Sequence, residues 1–89
     1  MADAAWVYLL RCADDSLYCG WTADLERRLA AHAAGTASRY TRSRRPVVLA
    51  ASFPMPDRAA ARREEARIKA LPRAEKLALV RAGAGSVRL

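Results

Sequence analysis

Two short runs rich in aromatic and branched side chains, residues 5–12 (AWVYLLRC) and 16–22 (SLYCGWT), are separated only by Ala13-Asp14-Asp15. Strand-forming runs this close together, with turn residues between them, have little choice but to pair as an antiparallel hairpin. Loop length then decides which side chains share a face, because side chains alternate along a strand. A two-residue turn at Asp14-Asp15 would put Tyr8 and Tyr18 on opposite faces. A three-residue loop of Ala13-Asp14-Asp15 puts them on one face, with Tyr18 opposite Leu10 and Gly20 opposite Tyr8. That loop needs a left-handed third residue, which an aspartate tolerates. The shared face is the expectation carried forward.

Residues 23–34 (ADLERRLAAHAA) are helical in composition, with Thr22 or Asp24 as N-cap and Gly35 as the stop. Residues 36–45 read as a basic polar loop, and Pro46 opens a third strand over 47–53. Pro54-Met55-Pro56-Asp57 reads as a break, with Asp57 capping a helix over 58–71. Pro72 starts a last helix to about Arg81, and residues 83–89 read as a flexible tail behind a single domain over 1–82. The order β-β-α-β-α-α makes this an α+β fold, a small three-stranded antiparallel sheet flanked by helices.

Charge narrows the partner. The 89 residues carry a net charge of +7. Residues 1–35 sum to −2, residues 36–63 to +6 and residues 64–89 to +3, with no acid between Arg27 and Pro56. Such a one-sided field suits a polyanion, nucleic acid before an anionic membrane. The N-terminus has no basic segment before a long apolar run, so neither a signal peptide nor a membrane span is expected. Cys12 and Cys19, with one histidine in the chain, form no zinc motif and no disulfide framework. The reading is a cytoplasmic protein with reduced thiols.

The first helix carries the most informative conflict. Leu25, Arg28, Leu29 and His32 stand at i, i+3, i+4 and i+7, on one stripe. If the leucines face the sheet, a cation and an imidazole are drawn to the interior or its rim, which is costly without partners. On the second long helix, periodicity sets Glu64 slightly closer than Glu65 to the apolar stripe of Ala61, Ile68 and Leu71.

These residues carry a resemblance. Val7-Tyr8, Tyr18-Cys19-Gly20, Asp24-Leu25-Glu26-Arg27-Arg28-Leu29 with His32, Tyr40-Thr41-Arg42, Glu65-Ala66-Arg67-Ile68-Lys69 and Arg73-Ala74-Glu75-Lys76 resemble the GIY-YIG nucleases. The likeness is to their small stand-alone bacterial branch and spans about residues 5–82. The signature is degenerate: Trp6 stands where the first glycine would be, and Cys19 replaces the isoleucine of the second motif. The resemblance implies metal-dependent phosphodiester hydrolysis, with DNA as the expected substrate and one Mg²⁺ or Mn²⁺ as cofactor. It assigns Arg28 to the scissile phosphate, Glu65 rather than Glu64 to the metal, Tyr8 or Tyr18 to water activation, and His32 to proton relay. A phenol is a poor base at neutral pH unless its pKa is lowered, a role expected of Arg28 and the metal. Arg39, Arg42, Arg44 and Arg45, with Tyr40 among them, and Lys69 are the candidates for nucleic-acid contacts. Two other functions fit the same residues: a non-catalytic nucleic-acid-binding module, and a basic adaptor for an acidic protein.

Overall fold

In the computed structural model, which describes residues 4–82 and 87–88, the hairpin is built from β1 (Ala5–Arg11) and β2 (Leu17–Thr22). Its register pairs Tyr8 with Gly20 and Leu10 with Tyr18. Cys12 N donates to Ser16 O at 2.9 Å and Asp15 N to Cys12 O at 2.9 Å, closing a loop of Ala13-Asp14-Asp15. Asp15 takes the left-handed conformation the loop requires, at φ 68°. The three-residue loop is therefore the one formed, and both tyrosines share a face.

Asp24, not Thr22, caps α1 (Leu25–Ala34), accepting from Arg27 N at 3.1 Å. Thr22 Oγ1 instead accepts from Asp24 N at 3.1 Å and so fixes the entry to the helix. Gly35 ends α1 at φ 82°, the left-handed position glycine occupies without cost. The expected basic loop contains a one-turn helix, α2 (Arg39–Arg42), whose N-cap is Ser38. Its Oγ accepts Thr41 N at 3.1 Å, and this local bond makes a turn of helix out of a polar stretch.

The third strand, β3 (Val48–Met55), runs two residues past the expected end at 53 and carries Pro54 inside it, opposite Trp6. At Pro54 β3 has no neighbour on its outer side among the described residues, and such an edge is where a strand tolerates proline. Helix α3 (Arg58–Lys69) starts at its Asp57 cap, and α4 (Arg73–Ala82) follows. Val87–Arg88 forms β4, pairing with Val48 and Leu49, so the sheet order is β2-β1-β3-β4. Within the stretch read as a tail, two residues thus extend the three-stranded sheet; residues 83–86 and 89 lie outside the described residues.

The sheet divides two clusters. On one face Ala5, Val7, Leu9, Cys19 and Ala51 pack with Ala61 and Ile68 of α3, and with Leu79 and Val80 of α4. On the other, Tyr8, Leu10, Cys12, Val47 and Leu49 pack under Leu25 and Leu29 of α1. A bulge in β3 makes the division possible. Leu9 pairs with Ala51 but Leu10 with Leu49, leaving Ala50 as the extra residue. Leu49 and Ala51, which a regular strand would hold on one face, consequently serve opposite faces.

Candidate active site

The leucines of α1 face the sheet, and they bring the rest of their stripe with them. His32 is completely buried and Arg28 stays at the rim. Tyr8, also buried, points its hydroxyl at the imidazole, with Oη 2.7 Å from His32 Nε2. The other ring nitrogen, Nδ1, lies 2.8 Å from Thr41 Oγ1, which itself lies 2.8 Å from Ser38 Oγ. Every buried polar side-chain atom among the described residues has a partner. The polar groups on the stripe thus avoid the penalty of unpaired burial by forming one chain through three elements.

Gly20 is part of this geometry. A Cβ at this position would stand 2.6 Å from Tyr8 Oη and 2.7 Å from Tyr8 Cζ. Only glycine lets the phenol lie flat across β2. Tyr18 flanks the pair, its ring 6.5 Å from that of Tyr8 and 5.3 Å from that of His32. The two tyrosine rings line an open cleft of about 430 Å³, walled by Thr22, Asp24, Arg28, Arg58 and Glu65, with His32 buried outside its lining.

Glu65 and Glu64 part company here. Glu65 lines the cleft, with Lys69 Nζ 3.7 Å from one oxygen. Glu64 is absent from the cleft wall and spends both oxygens on Arg67, at 2.8 and 2.7 Å. Arg58, which sequence reading passed over, enters the cleft wall because it stands seven residues before Glu65. The i, i+7 spacing was a usable signal for both residues.

The electrostatics revise one expectation. Arg28 does pull the Tyr8 phenol toward ionisation, but burial and the neighbouring Tyr18 push harder the other way, so its pKa is raised rather than lowered. Burial first, and Arg28 second, pull His32 down to about 4. The resting pair is a neutral phenol against a neutral imidazole.

The basic residues of the α1–β3 connection divide by role. Arg44 lies over the Tyr40 ring at 3.8 Å and bonds Asp14 at 3.0 Å, while Tyr40 stacks at 5.8 Å on Tyr18. Arg45 donates to Arg42 O at 3.1 Å and Ala33 O at 3.4 Å, over Gly35. Arg44 therefore braces the structure and Arg45 is tied to backbone carbonyls, while the exposed Arg39 and Arg42 line, together with Arg45, a separate hollow beside Ser38. None of the four arginines lines the tyrosine cleft, and Lys69 meets it only through Glu65.

The profile of the GIY-YIG catalytic domain matches residues 4–78. The chain belongs to the GIY-YIG family. A UPF0213 protein of Xanthomonas axonopodis pv. citri is 55% identical over 76 residues, covering 85% of this chain and 74% of its own. A UPF0213 protein of Natronomonas pharaonis is 46% identical over 80 residues, covering 90% and 94%. The solution structure of the UPF0213 protein BH0048 from Bacillus halodurans aligns with a TM-score of 0.59 at 40% identity, over 89% of this chain and 84% of that one. The GIY-YIG domain is a nuclease domain whose members generally use a divalent metal. Within this chain the tyrosines of both signature motifs, at 8 and 18, meet on one face above Gly20. No helix among the described residues is long and apolar enough to cross a membrane.

Proposed function

We propose that this protein is an endonuclease that hydrolyses phosphodiester bonds in DNA. The observation that carries the proposal is the 2.7 Å contact between Tyr8 Oη and His32 Nε2, where Tyr8 lines a cleft with Arg28 on its wall. A phosphate oxygen set in the cleft meets the guanidinium of Arg28, a fork suited to two oxygens of one phosphate. Tyr8, with its proton firmly held, can take a proton from the attacking water only by giving up its own. As the water O–H breaks and a new O–H forms on Tyr8, the phenol's original proton passes to His32 Nε2. The cation that forms there is opposed by burial and by Arg28. A phosphate bound to Arg28 offsets the second of these, so the relay works best with substrate in place.

Glu65 is the residue that would hold a divalent cation. Among the described residues no three His, Cys, Asp or Glu side chains gather into a cage. Of the two carboxylates on the cleft wall, Asp24 is engaged as the cap of α1 by Arg27 N, and the other, Glu65, fits Mg²⁺ or Mn²⁺, hard cations that keep several of their waters when protein-bound. Bound there, such an ion supplies electrostatic stabilisation of charge developing on phosphate oxygens. Lys69, paired with Glu65, balances the carboxylate without it. Arg39 and Arg42 are proposed to hold phosphates away from the cut.

Labelled duplex, flap, junction and single-stranded DNA, incubated with Mg²⁺, Mn²⁺ or EDTA, test the proposal. Metal-dependent cleavage is expected, lost about 10²-fold or more in Arg28→Ala and Glu65→Gln, the scale of one transition-state stabiliser. Glu64→Gln, which loses only an exposed ion pair, should cut nearly as the parent does. Salt-sensitive binding with no cutting on any substrate would assign the protein to the binding-module class.

A further inference from the structure

Thr41 is completely buried, and its hydroxyl has two polar neighbours, His32 Nδ1 and Ser38 Oγ, each at 2.8 Å. One hydroxyl carries one proton, so Thr41 can donate to only one of them. Two arrangements satisfy the chain. In the first, Thr41 donates to Ser38 and accepts from His32 Nδ1–H, leaving Nε2 to accept the Tyr8 hydroxyl proton. In the second, every bond reverses: Ser38 donates to Thr41, Thr41 to Nδ1, and Nε2–H to the Tyr8 oxygen. A phenol is a stronger acid than an imidazole N–H, and an imidazole nitrogen a stronger base than a phenol oxygen. The O–H···N bond between Tyr8 and His32 is therefore the better one and favours the first arrangement, which also needs Thr41 as acceptor for the buried Nδ1–H. Ser38 Oγ is well placed to receive the Thr41 proton, because it already accepts the Thr41 backbone N–H at 3.1 Å as cap of α2.

We infer that Thr41, held by Ser38, is a positioning residue that fixes His32 as the Nδ1–H tautomer and keeps Nε2 open to the proton of Tyr8. The inference deepens the nuclease reading, since an Nε2 that already bears a proton cannot receive another from Tyr8. It also gives α2 a purpose: the bond that caps one turn of helix orients a buried imidazole two residues before the end of α1. Burial and Arg28 hold the ring neutral at ordinary pH, so tautomer rather than charge is what Thr41 controls.

The test is the ¹⁵N spectrum of the imidazole in labelled, metal-free protein at neutral pH. His32 is the single histidine of the chain, so assignment is unambiguous. The parent should show a protonated Nδ1 and an unprotonated Nε2. Thr41→Val, which keeps the shape and removes the hydroxyl, should move the Nε2 resonance toward the protonated range, and Thr41→Ser should move it back. Turnover should fall and recover in step. If Thr41→Val does not fold, Ser38→Ala carries the same test: the Thr41 hydroxyl, deprived of its acceptor, turns its proton to Nδ1 and drives the same shift. A parent spectrum with Nε2 protonated, or folded variants with an unchanged tautomer, overturns the inference. Because the readout needs neither metal nor substrate, a tautomer shift in a protein that cuts nothing would keep this inference and refute only the nuclease reading.

Discussion

Replacing Gly20 by alanine separates a glycine required by contact from one merely tolerated. Inside a strand, alanine is ordinarily better than glycine by about 0.5–1 kcal/mol. Gly20 does not occupy the left-handed region, so backbone strain does not enter. In open space the substitution would therefore stabilise. Here the new Cβ would stand 2.6 Å from Tyr8 Oη and 3.2 Å from Tyr18 Cε2, and Tyr8 has no free space to retreat into because it is buried and tied to His32. Overpacking of this kind costs about 1–3 kcal/mol, and losing the Tyr8–His32 bond adds about 0.5–1.5 kcal/mol. The two costs come to about 1.5–4.5 kcal/mol, which less the alanine advantage leaves a destabilisation of about 0.5–4 kcal/mol and, at about 4–8 °C per kcal/mol in a domain of this size, lowers Tm by anything from a few degrees to roughly 30 °C. Thermal unfolding followed by circular dichroism measures it. In a Tyr8→Phe background part of the loss should return, because the nearest clashing atom is gone. A Gly20→Ala protein with unchanged or raised Tm would refute the reasoning, and with it the claim that the phenol must lie against β2.

Two further outcomes follow from the same geometry. Replacing Arg39 and Arg42 together should weaken DNA binding and flatten its salt dependence by about two phosphate contacts, while Arg44→Ala should chiefly lower Tm, since it loses Asp14 and the Tyr40 ring; equal salt slopes in the folded double variant and the parent would remove that surface from the interface. For His32, the pKa falls on folding from 6.5 to about 4, so the unfolded chain takes up a proton that the folded one refuses. Stability from this group is complete above about pH 6.5 and is lost as pH falls toward 4, on the order of 3 kcal/mol in all. Chemical denaturation across this range should show the slope, and a folded His32→Gln variant that keeps it would place its origin elsewhere.

Much of this site was legible in the sequence because it rests on parity and short spacings. The loop of Ala13-Asp14-Asp15 sets which residues of β1 and β2 share a face, and the i, i+3, i+4, i+7 stripe of α1 carries Arg28 and His32 to that same face. Leu25 and Leu29 decide the orientation by burial, and the polar residues follow. What escaped reading depends on tertiary partners. Thr41 and Ser38 look like ordinary loop residues until His32 is placed above them. Arg44 is indistinguishable by composition from Arg42, and only the nearness of Asp14, thirty residues earlier, makes it a brace. Pro54 read as a strand end because the sequence does not reveal that, among the described residues, its outer side has no neighbouring strand.

The extra residue at Ala50 has a consequence for how this chain can change. Because side chains alternate, removing one residue here would restore a regular ladder and reverse the facing of everything on one side of it. Either Leu49 and Val47 would leave the α1 face, or Ala51 and Phe53 would leave the α3 face. The two layers of helices are thus kept in phase by a single small residue. Length at this point constrains the sheet as tightly as any side chain does, and a chain that lost one residue here would have to rebuild one of its two cores.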